Sequence, residues 1–310
     1  MGLPKIHQRN LEDPTRVSSL FHWRTLQRLL SWTPPHISSP LSYSSEFVDS
    51  HCHLDRLFRV SGYTGSLDGF LEQRRFVEPG FKGCITVFCD EASLSKWESQ
   101  KALIESTGVH AAVGYHPKNA HNFTKDAELL IRHVLDTSNV CALGEIGLDY
   151  SGSYYRYKEK QQAVFKKLLV LAVNSNLPVV LHCRDAEPDC FKIVRQTLPR
   201  MWRIHLHCYM NDWEGAKVWF DSFPNLCVGL TNAVGLGSPG PRDVALNIPL
   251  DRLLLETDAP YFPPTPARFS IPTMAKHVAE EVAKIRGITV AEVLHKTRQN
   301  TELLYGVTFF

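Results

Sequence analysis

Two histidines, His51 and His53, stand two residues apart at the end of a short apolar run that begins at Phe47. Residues i and i+2 of a β-strand share a face, so both imidazoles would point toward the same end of a strand. Imidazole is a common ligand of divalent transition metals, which makes the pair a candidate metal site. Taken alone, such a pair is more often a packing or surface feature.

Four more histidines and carboxylates follow apolar runs in the same way. These residues are Glu145, His182, His207 and Asp258. Burying a charged side chain costs free energy unless a partner or an ion compensates it, so a shared position for these groups favours a metal centre. Mixed histidine and carboxylate ligands suit Zn²⁺ or Mn²⁺. They can also hold Mg²⁺ when substrate phosphates complete its coordination shell.

The elements that must position these groups begin at about residue 46. Short runs rich in Val, Ile and Leu, without clear alternation, are typical of buried parallel strands. The predicted strands are Phe47–His51, Cys84–Phe88, His110–Gly114, Val140–Leu143, Pro178–His182, Arg203–His207, Leu226–Leu230 and Arg252–Glu256. Segments with apolar residues at helical spacing separate or follow them. The predicted helices are Ser93–Glu105, Lys125–Leu135, Tyr157–Asn174, Asp212–Asp221, Pro272–Arg286 and Thr289–Tyr305.

Alternating strands and helices predict βαβ units and a parallel sheet, which is the α/β class. Eight strands between residues 47 and 256 fit a closed (β/α)8 TIM barrel better than an open sheet, although a doubly wound sheet stays open as an alternative. The last two helices would pack on the outside as extra C-terminal helices. In such a barrel, the loops after the strands converge on one face, which would gather all six candidate groups at one rim.

The composition is that of an ordinary globular protein, with 44% hydrophobic and 21% charged residues among 310. No stretch approaches the roughly 18 uninterrupted apolar residues that span a bilayer, so we expect no membrane partner. The formal net charge of +2 excludes a strongly basic nucleic-acid-binding protein. A local patch or bound metal could still bind a polyanion.

The eight cysteines do not form the pattern of a disulfide framework. They lie in or beside histidine motifs and apolar runs, or stand alone, which is typical of free thiols in a reducing compartment. We therefore expect an intracellular protein, in the nucleus, the cytoplasm or both.

Residues 1–45 are predicted to form a flexible leader, and residues 46–310 a single barrel domain. The leader contains several arginines and a stretch rich in proline and serine. A mitochondrial presequence is poor in acidic residues, and Glu12 and Asp13 oppose that interpretation. Ile6 excludes a myristoylation motif at Gly2.

Six ordered motifs make the chain resemble the TatD family of metal-dependent deoxyribonucleases, part of the amidohydrolase-type superfamily. The motifs are His51-Cys52-His53-Leu54-Asp55, Gly114-Tyr115-His116-Pro117, Gly144-Glu145-Ile146-Gly147-Leu148-Asp149-Tyr150, His182-Cys183-Arg184-Asp185-Ala186, His207-Cys208-Tyr209 and Glu256-Thr257-Asp258-Ala259-Pro260-Tyr261. The resemblance covers about residues 46–306, and six motifs in one order within one domain are highly specific.

The resemblance implies two divalent metal ions, Mg²⁺, Mn²⁺ or Zn²⁺. The ligands of the first would be His51, His53, Glu145 and Asp258. The ligands of the second would be Glu145, His182 and His207, so that Glu145 bridges the two ions. His116 and Arg184 match positions that would bind substrate phosphate.

The implied activity is hydrolysis of phosphodiester bonds in DNA, from an end or internally, with room for RNA or RNA–DNA hybrids. Asp258 and Glu145 would be the catalytic carboxylates, with Asp258 orienting the attacking water and accepting its proton. No nucleophilic Ser or Cys is needed. We expect a nucleic acid as the only partner and the chain to be a monomer. Tyrosines around the mouth, among them Tyr154 and Tyr155, are candidates for stacking with unpaired bases.

One motif departs from the family pattern. The usual run of His-Cys-Phe-Ser-Gly is replaced by His207-Cys208-Tyr209-Met210-Asn211, which would change the shape of the floor near the second ion. His205 should lie one layer below His207, and we assign it a buried packing role. Asp149 is predicted to fix the loop that holds Glu145, and Asn300 to anchor a helix.

Two other functions remain compatible with the residues. One is a small-molecule hydrolase of the same superfamily, although many of those bridge their metals with a modified lysine on the fourth strand, where this chain has Glu145. The other is a catalytically weak barrel that serves as a binding or scaffold protein. A measurement of bound metal distinguishes such a scaffold from an enzyme, because a scaffold need not hold two ions.

Overall fold

The computed structural model describes residues 46–310 of the chain. Eight strands form one sheet in which each strand pairs in parallel with the next along the sequence. They are β1 (Phe47–Cys52), β2 (Phe81–Phe88), β3 (Val109–Val113), β4 (Val140–Asp149), β5 (Val179–Arg184), β6 (Ile204–Leu206), β7 (Leu226–Leu230) and β8 (Leu253–Leu255). All eight predicted strands are present. The predicted leader lies outside the described residues.

The sheet closes on itself where β1 meets β8. Cys52 and Ala259 form an isolated parallel bridge, and the Asp258 amide donates to the His51 carbonyl at 2.9 Å. The buried Asp49 carboxylate also accepts hydrogen bonds from the Thr257 amide at 3.0 Å and from the Thr257 hydroxyl at 2.5 Å. This seam makes the fold a (β/α)8 barrel and rules out the doubly wound open sheet.

The helices surround the barrel. Their bounds are Leu54–Ser61, Leu67–Arg74, Glu91–Leu94, Trp97–Ile104, Lys125–Leu135, Lys158–Ser175, Glu187–Thr197, Trp213–Ser222, Pro239–Asn247, Ala275–Arg286 and Val290–Tyr305. The single predicted helix Ser93–Glu105 is wrong, because two short helices meet there. Pro239–Asn247 was not predicted, since Pro239 and Pro241 suggest a loop. Both prolines occupy the first turn, where their missing amides cost no helical hydrogen bond.

The two C-terminal helices pack against the barrel, as predicted. The last one, Val290–Tyr305, contacts β1 and β8. Asn300 anchors it, because its side-chain amide donates to the carbonyls of Leu250 and Leu253, both at 2.8 Å. No helix within residues 46–310 is long and apolar enough to cross a membrane. All eight cysteines are free thiols.

The core has two parts. The larger part fills the space between strands and helices, and a smaller cluster lies inside the barrel. Val180 belongs to the inner cluster and shares a strand face with His182, just as Leu254 does with Glu256. Tyr305 and Phe309 enter this cluster from the C-terminal segment, so they close the end of the barrel opposite the strand-end loops.

Candidate metal centre

The barrel mouth brings together the side chains from the ends of β1 and β8. His51 Nε2 and His53 Nε2 lie 3.4 Å apart. Asp258 Oδ1 lies 3.3 Å from His53 Nε2 and 3.7 Å from His51 Nε2. Glu145 Oε2 closes the group at 3.7 Å and 3.9 Å from the same two nitrogens. Two imidazoles and two carboxylates thus surround one small volume.

The other oxygen of Glu145 faces a different set of histidines. Oε1 lies 2.6 Å from His182 Nδ1, 3.6 Å from His116 Nε2 and 3.8 Å from His207 Nε2. His207 Nε2 also lies 3.9 Å from Asp258 Oδ1, so the two groups of side chains adjoin. One carboxylate therefore stands between two clusters and turns one oxygen to each.

The hydrogen bonds of the histidines fix which ring nitrogen faces the centre. His53 Nδ1 lies 3.0 Å from the Val87 carbonyl, which can only accept, so Nδ1 carries the proton and the Nε2 lone pair points inward. His207 Nδ1 donates to Glu256 at 3.0 Å in the same way. These lone pairs face the oxygens of Glu145 and Asp258, an arrangement that repels unless a cation or a proton lies between them.

Electrostatics favour positive charge at this point. Burial opposes ionisation of Glu145, but the histidines around it hold the pKa of its carboxyl well below the usual range. Burial also opposes protonation of His207, yet the Glu256 carboxylate raises the pKa of that ring to about 9. A buried centre that retains its carboxylates and draws a proton to a ligand nitrogen fits a divalent cation, which competes for the same lone pair.

The sequence prediction placed Glu145 just after β4, and the structure corrects this. β4 continues to Asp149, and Glu145 lies inside it. Gly144 pairs with Val180 and Ile146 with Leu181, so Glu145 is the extra residue of a β-bulge. Bulges re-aim side chains, and this one turns the carboxylate into the barrel mouth.

His182 lies between two carboxylates. Its Nδ1 faces Glu145, and its Nε2 lies 2.9 Å from Asp149 Oδ2. Asp149 Oδ1 accepts from the amide and hydroxyl of Ser151, so Asp149 holds the turn after β4 and not a loop that carries Glu145, which lies within the strand. The contact with His182 was not predicted. It orients the ring so that Nδ1 is directed at Glu145.

His116 presents a proton to the centre instead of a lone pair. Its Nδ1 accepts from the Lys118 amide at 3.1 Å, and burial lowers the pKa of the ring to about 3. The neutral ring therefore carries its proton on Nε2, the nitrogen that faces Glu145. Arg184 lies at the end of β5, and its guanidinium contacts Cys208 Sγ at 3.8 Å, beside His207. Both side chains are donors at the rim.

Comparison with known proteins identifies the family. The family model described as TatD related DNase matches residues 48–306. The chain belongs to the TatD family. The human 3'-5' RNA nuclease TATDN2 is 33% identical over 275 residues, which are 86% of this chain and 36% of that protein, so the chain spans about a third of that relative.

Two bacterial proteins are similar over most of their own length. The 3'-5' ssDNA/RNA exonuclease TatD of Erwinia amylovora is 32% identical over 224 residues, or 68% of this chain and 85% of that one. Among solved structures, the TatD homologue YjjV from Escherichia coli K12 superposes with a TM-score of 0.74 at 26% identity. The match covers 86% of this chain and 100% of YjjV.

The departure from the TatD family pattern lies beside the mouth. Asn211 donates to Glu187, whose other oxygen accepts from the Tyr209 hydroxyl at 3.0 Å. Asn211 and Glu187 line a groove of about 550 Å³, together with Asp212 and Asp243. The Asn211 side chain lines this groove, and the effect of Met210-Asn211 on the floor at the second histidine group stays a prediction.

Sequence reasoning missed three supporting groups of this TatD-family site. Glu256 holds His207, and Arg56 pairs with Asp90 at 2.8 Å. Arg56 also donates to Cys89, whose thiol lies 3.6 Å from Glu145 Oε2. Asp90 follows the predicted second strand by two residues, so the rule that strand ends carry the chemistry would have found it.

Proposed function

We propose that this chain is a metal-dependent nuclease that hydrolyses phosphodiester bonds in single-stranded nucleic acid with two divalent ions. The observation that carries the proposal is the position of Glu145, whose two oxygens face two separate groups of histidines. Phosphodiester hydrolysis uses paired ions about 3.5–4 Å apart, and a bridging carboxylate is the means of holding such a pair.

In this proposal the ligands divide as the distances do. His51, His53, Asp258 and Glu145 would hold the first ion, and Glu145, His182 and His207 would hold the second. When bound, the ions supply Lewis acidity that activates water and neutralises charge on the phosphate. The imidazole–carboxylate set is compatible with Zn²⁺ or Mn²⁺, and with Mg²⁺ once phosphate oxygens contribute.

The remaining work falls to the protein's own groups. Asp258 has the more exposed of the two central carboxylates, 11% against 3% for the side chain of Glu145, and it faces both groups. It is placed to accept the proton of the attacking water. His116 donates Nε2–H to a phosphate oxygen, and Arg184 offers its fork of N–H groups to a second oxygen or to a neighbouring phosphate.

The substrate class follows from the relatives and from the rim. The matched family is named for DNases, one relative is named for RNA, and another for single-stranded DNA and RNA. At the rim, the Lys118 ammonium lies 5.1 Å from the ring centre of Tyr154 and 3.9 Å from Asp149 Oδ2, the partner of His182. The aromatic ring can stack on an unpaired base, and the cation beside it can contact the phosphate of that nucleotide.

Tyr155→Ala is expected to weaken binding of a single-stranded oligonucleotide about 5- to 150-fold, because one stacked base contributes about 1–3 kcal/mol. Tyr155 is 57% exposed and stands edge-on to Tyr150 at 5.5 Å. Fluorescence anisotropy of a labelled strand with the metal-free protein measures the change in affinity. Leu303→Ala, at a residue 76% exposed on the last helix, should leave affinity unaltered. Equal affinity of the Tyr155→Ala variant and the wild type would remove Tyr155 from the strand path.

The proposal includes the division of the chain into residues 1–45 and a catalytic domain. The match to the family begins at residue 48, which supports a catalytic domain of residues 46–310 that is distinct from residues 1–45. Eight free thiols support a reducing compartment such as the nucleus or cytoplasm.

Cleavage of end-labelled single-stranded DNA and RNA by the purified chain tests the function. We expect cleavage with Mn²⁺ or Mg²⁺, none after chelation, and recovery when the ion is restored. The product ladder distinguishes attack from an end and internal attack. Metal bound at the centre without cleavage of either strand would overturn the nuclease and favour a small-molecule hydrolase. Absence of bound metal would favour a scaffold.

A further inference from the structure

A line of polar side chains crosses the interior of the barrel below the metal centre. The Tyr305 hydroxyl lies 2.7 Å from His205 Nδ1. His205 Nε2 lies 3.0 Å from Glu256 Oε2, an ion-pair distance without hydrogen-bond geometry. The same oxygen accepts from His207 Nδ1 at 3.0 Å. The line, here called the inner chain, thus joins the end of the last helix to a proposed metal ligand.

The inner chain is fully enclosed. Its four residues are Tyr305, His205, Glu256 and His207, and none is more than 5% exposed. Apolar side chains of the inner cluster, such as Cys227 and Leu254, lie beside them. Polar groups in such surroundings cost several kcal/mol unless each finds a partner, so a complete chain is stable where a broken one is not.

β7 leaves room for this chain through a glycine. A Cβ placed on Gly229 would lie 2.4 Å from both His205 Nε2 and Glu256 Oε2. No other residue fits without displacing that contact. The space is therefore shaped around the His205–Glu256 pair, which an ordinary packing role for His205 does not require.

The protons of the inner chain have one consistent direction. The Glu256 carboxylate can only accept, so the proton of a neutral His205 ring belongs on Nε2, which faces it at 3.0 Å. Nδ1 is then an acceptor, and the Tyr305 hydroxyl at 2.7 Å donates to it in preference to the Ser50 carbonyl at 3.4 Å. His205 Nε2–H then faces Glu256 Oε2 as an electrostatic contact, while Glu256 accepts a hydrogen bond from His207 Nδ1. The Nε2 lone pair of His207 is thereby directed at the proposed second ion.

We propose that Tyr305 and His205 are positioning residues for the second metal site, acting on His207 through Glu256. This rests on the proposed function. Without the Tyr305 hydroxyl, His205 can adopt the other tautomer and turn a lone pair toward Glu256. The carboxylate then faces a lone pair in place of an N–H and rotates away, and His207 is no longer held in one tautomer. The first site, built from His51 and His53, does not depend on the inner chain.

Calorimetric titration of the metal-free full chain with Mn²⁺ and Zn²⁺ tests this without nucleic acid. Tyr305→Phe should weaken the second binding event about 10-fold, in the range seen when supporting partners of metal ligands are removed, and leave the first within about 2-fold. His205→Leu should weaken it at least as much. His205→Gln keeps an amide donor toward Glu256 and an acceptor toward Tyr305, so it should restore the second constant to within about 3-fold.

Tyr63→Phe is the matched control, because Tyr63 packs against Phe58 and Phe70 away from the inner chain. It should bind both ions as the wild type does. If Tyr305→Phe and His205→Leu bind both ions with wild-type constants and show only a lower melting temperature, the inner chain has a structural role alone and the proposal is overturned. So would equal losses in His205→Leu and His205→Gln. A wild-type chain that binds no metal would contradict the proposed function itself, and the positioning role with it.

Discussion

Glu145→Gln is expected to abolish binding at both metal sites and to reduce cleavage on the order of 10³-fold or more, since both the ions and their activation of water are lost. Glutamine has nearly the same shape but no charge, and only one of its two terminal atoms can accept. One oxygen of Glu145 faces His51 and His53, and the other faces His182 and His207. Glutamine has only one accepting atom, so it cannot serve both groups. Metal analysis after dialysis and a single-turnover cleavage assay measure the two effects.

Glu46→Gln provides the control for that substitution. Glu46 precedes β1 at the opposite end of the barrel, where it pairs with Lys82 and Arg298 on the surface. The same loss of charge there should leave metal content and cleavage at wild-type levels. A Glu145→Gln protein that keeps two ions and a tenth of the activity would show that Glu145 is not the bridge.

Asp258→Asn is expected to separate proton transfer from metal binding. Asparagine keeps an oxygen where Asp258 Oδ1 lies, 3.3 Å from His53 Nε2, so the first site should still bind an ion with reduced affinity. It cannot accept a proton at neutral pH. We therefore expect kcat to fall about 10²- to 10⁴-fold at saturating metal while KM changes by less than about 3-fold.

Initial rates at saturating Mn²⁺ over a range of oligonucleotide concentrations give both constants. An unchanged kcat with both sites filled would assign the proton transfer to another group. A fall in kcat that excess metal restores would make Asp258 a ligand and nothing more.

The sequence predicted the strands, the closed barrel and the meeting of the candidate groups because those depend on regular spacing. Residues such as His182 and His207 follow buried runs, and parallel strands in one barrel must end at the same face. The orientation of Glu145 was not predictable in this way. It depends on a bulge at Gly144–Ile146, and an extra residue leaves no periodic trace in a strand that is buried on both faces.

The supporting groups were hidden for a different reason. Glu256 and Asp258 lie two residues apart at one strand end, and either could have been the ligand. Only the distances separate them, with Glu256 on the far nitrogen of His207 and Asp258 near His53. His205 was predicted to be buried, and it is, but its hydroxyl partner comes from Tyr305, 100 residues later in the chain. Contacts at that separation are a property of the closed fold and not of any local pattern.

The seam between β1 and β8 determines when the centre can form during folding. Its contacts, such as Asp49 with Thr257, join residues 208 positions apart. Contacts of that length carry a large loop-closure cost and form late. His51 and His53 reach Asp258 only when this seam closes, so a chain still being synthesised has the first ligands of the centre but not the last. Metal capture at the proposed first site would therefore be a closing event of folding, and an ion bound there would stabilise only the finished barrel.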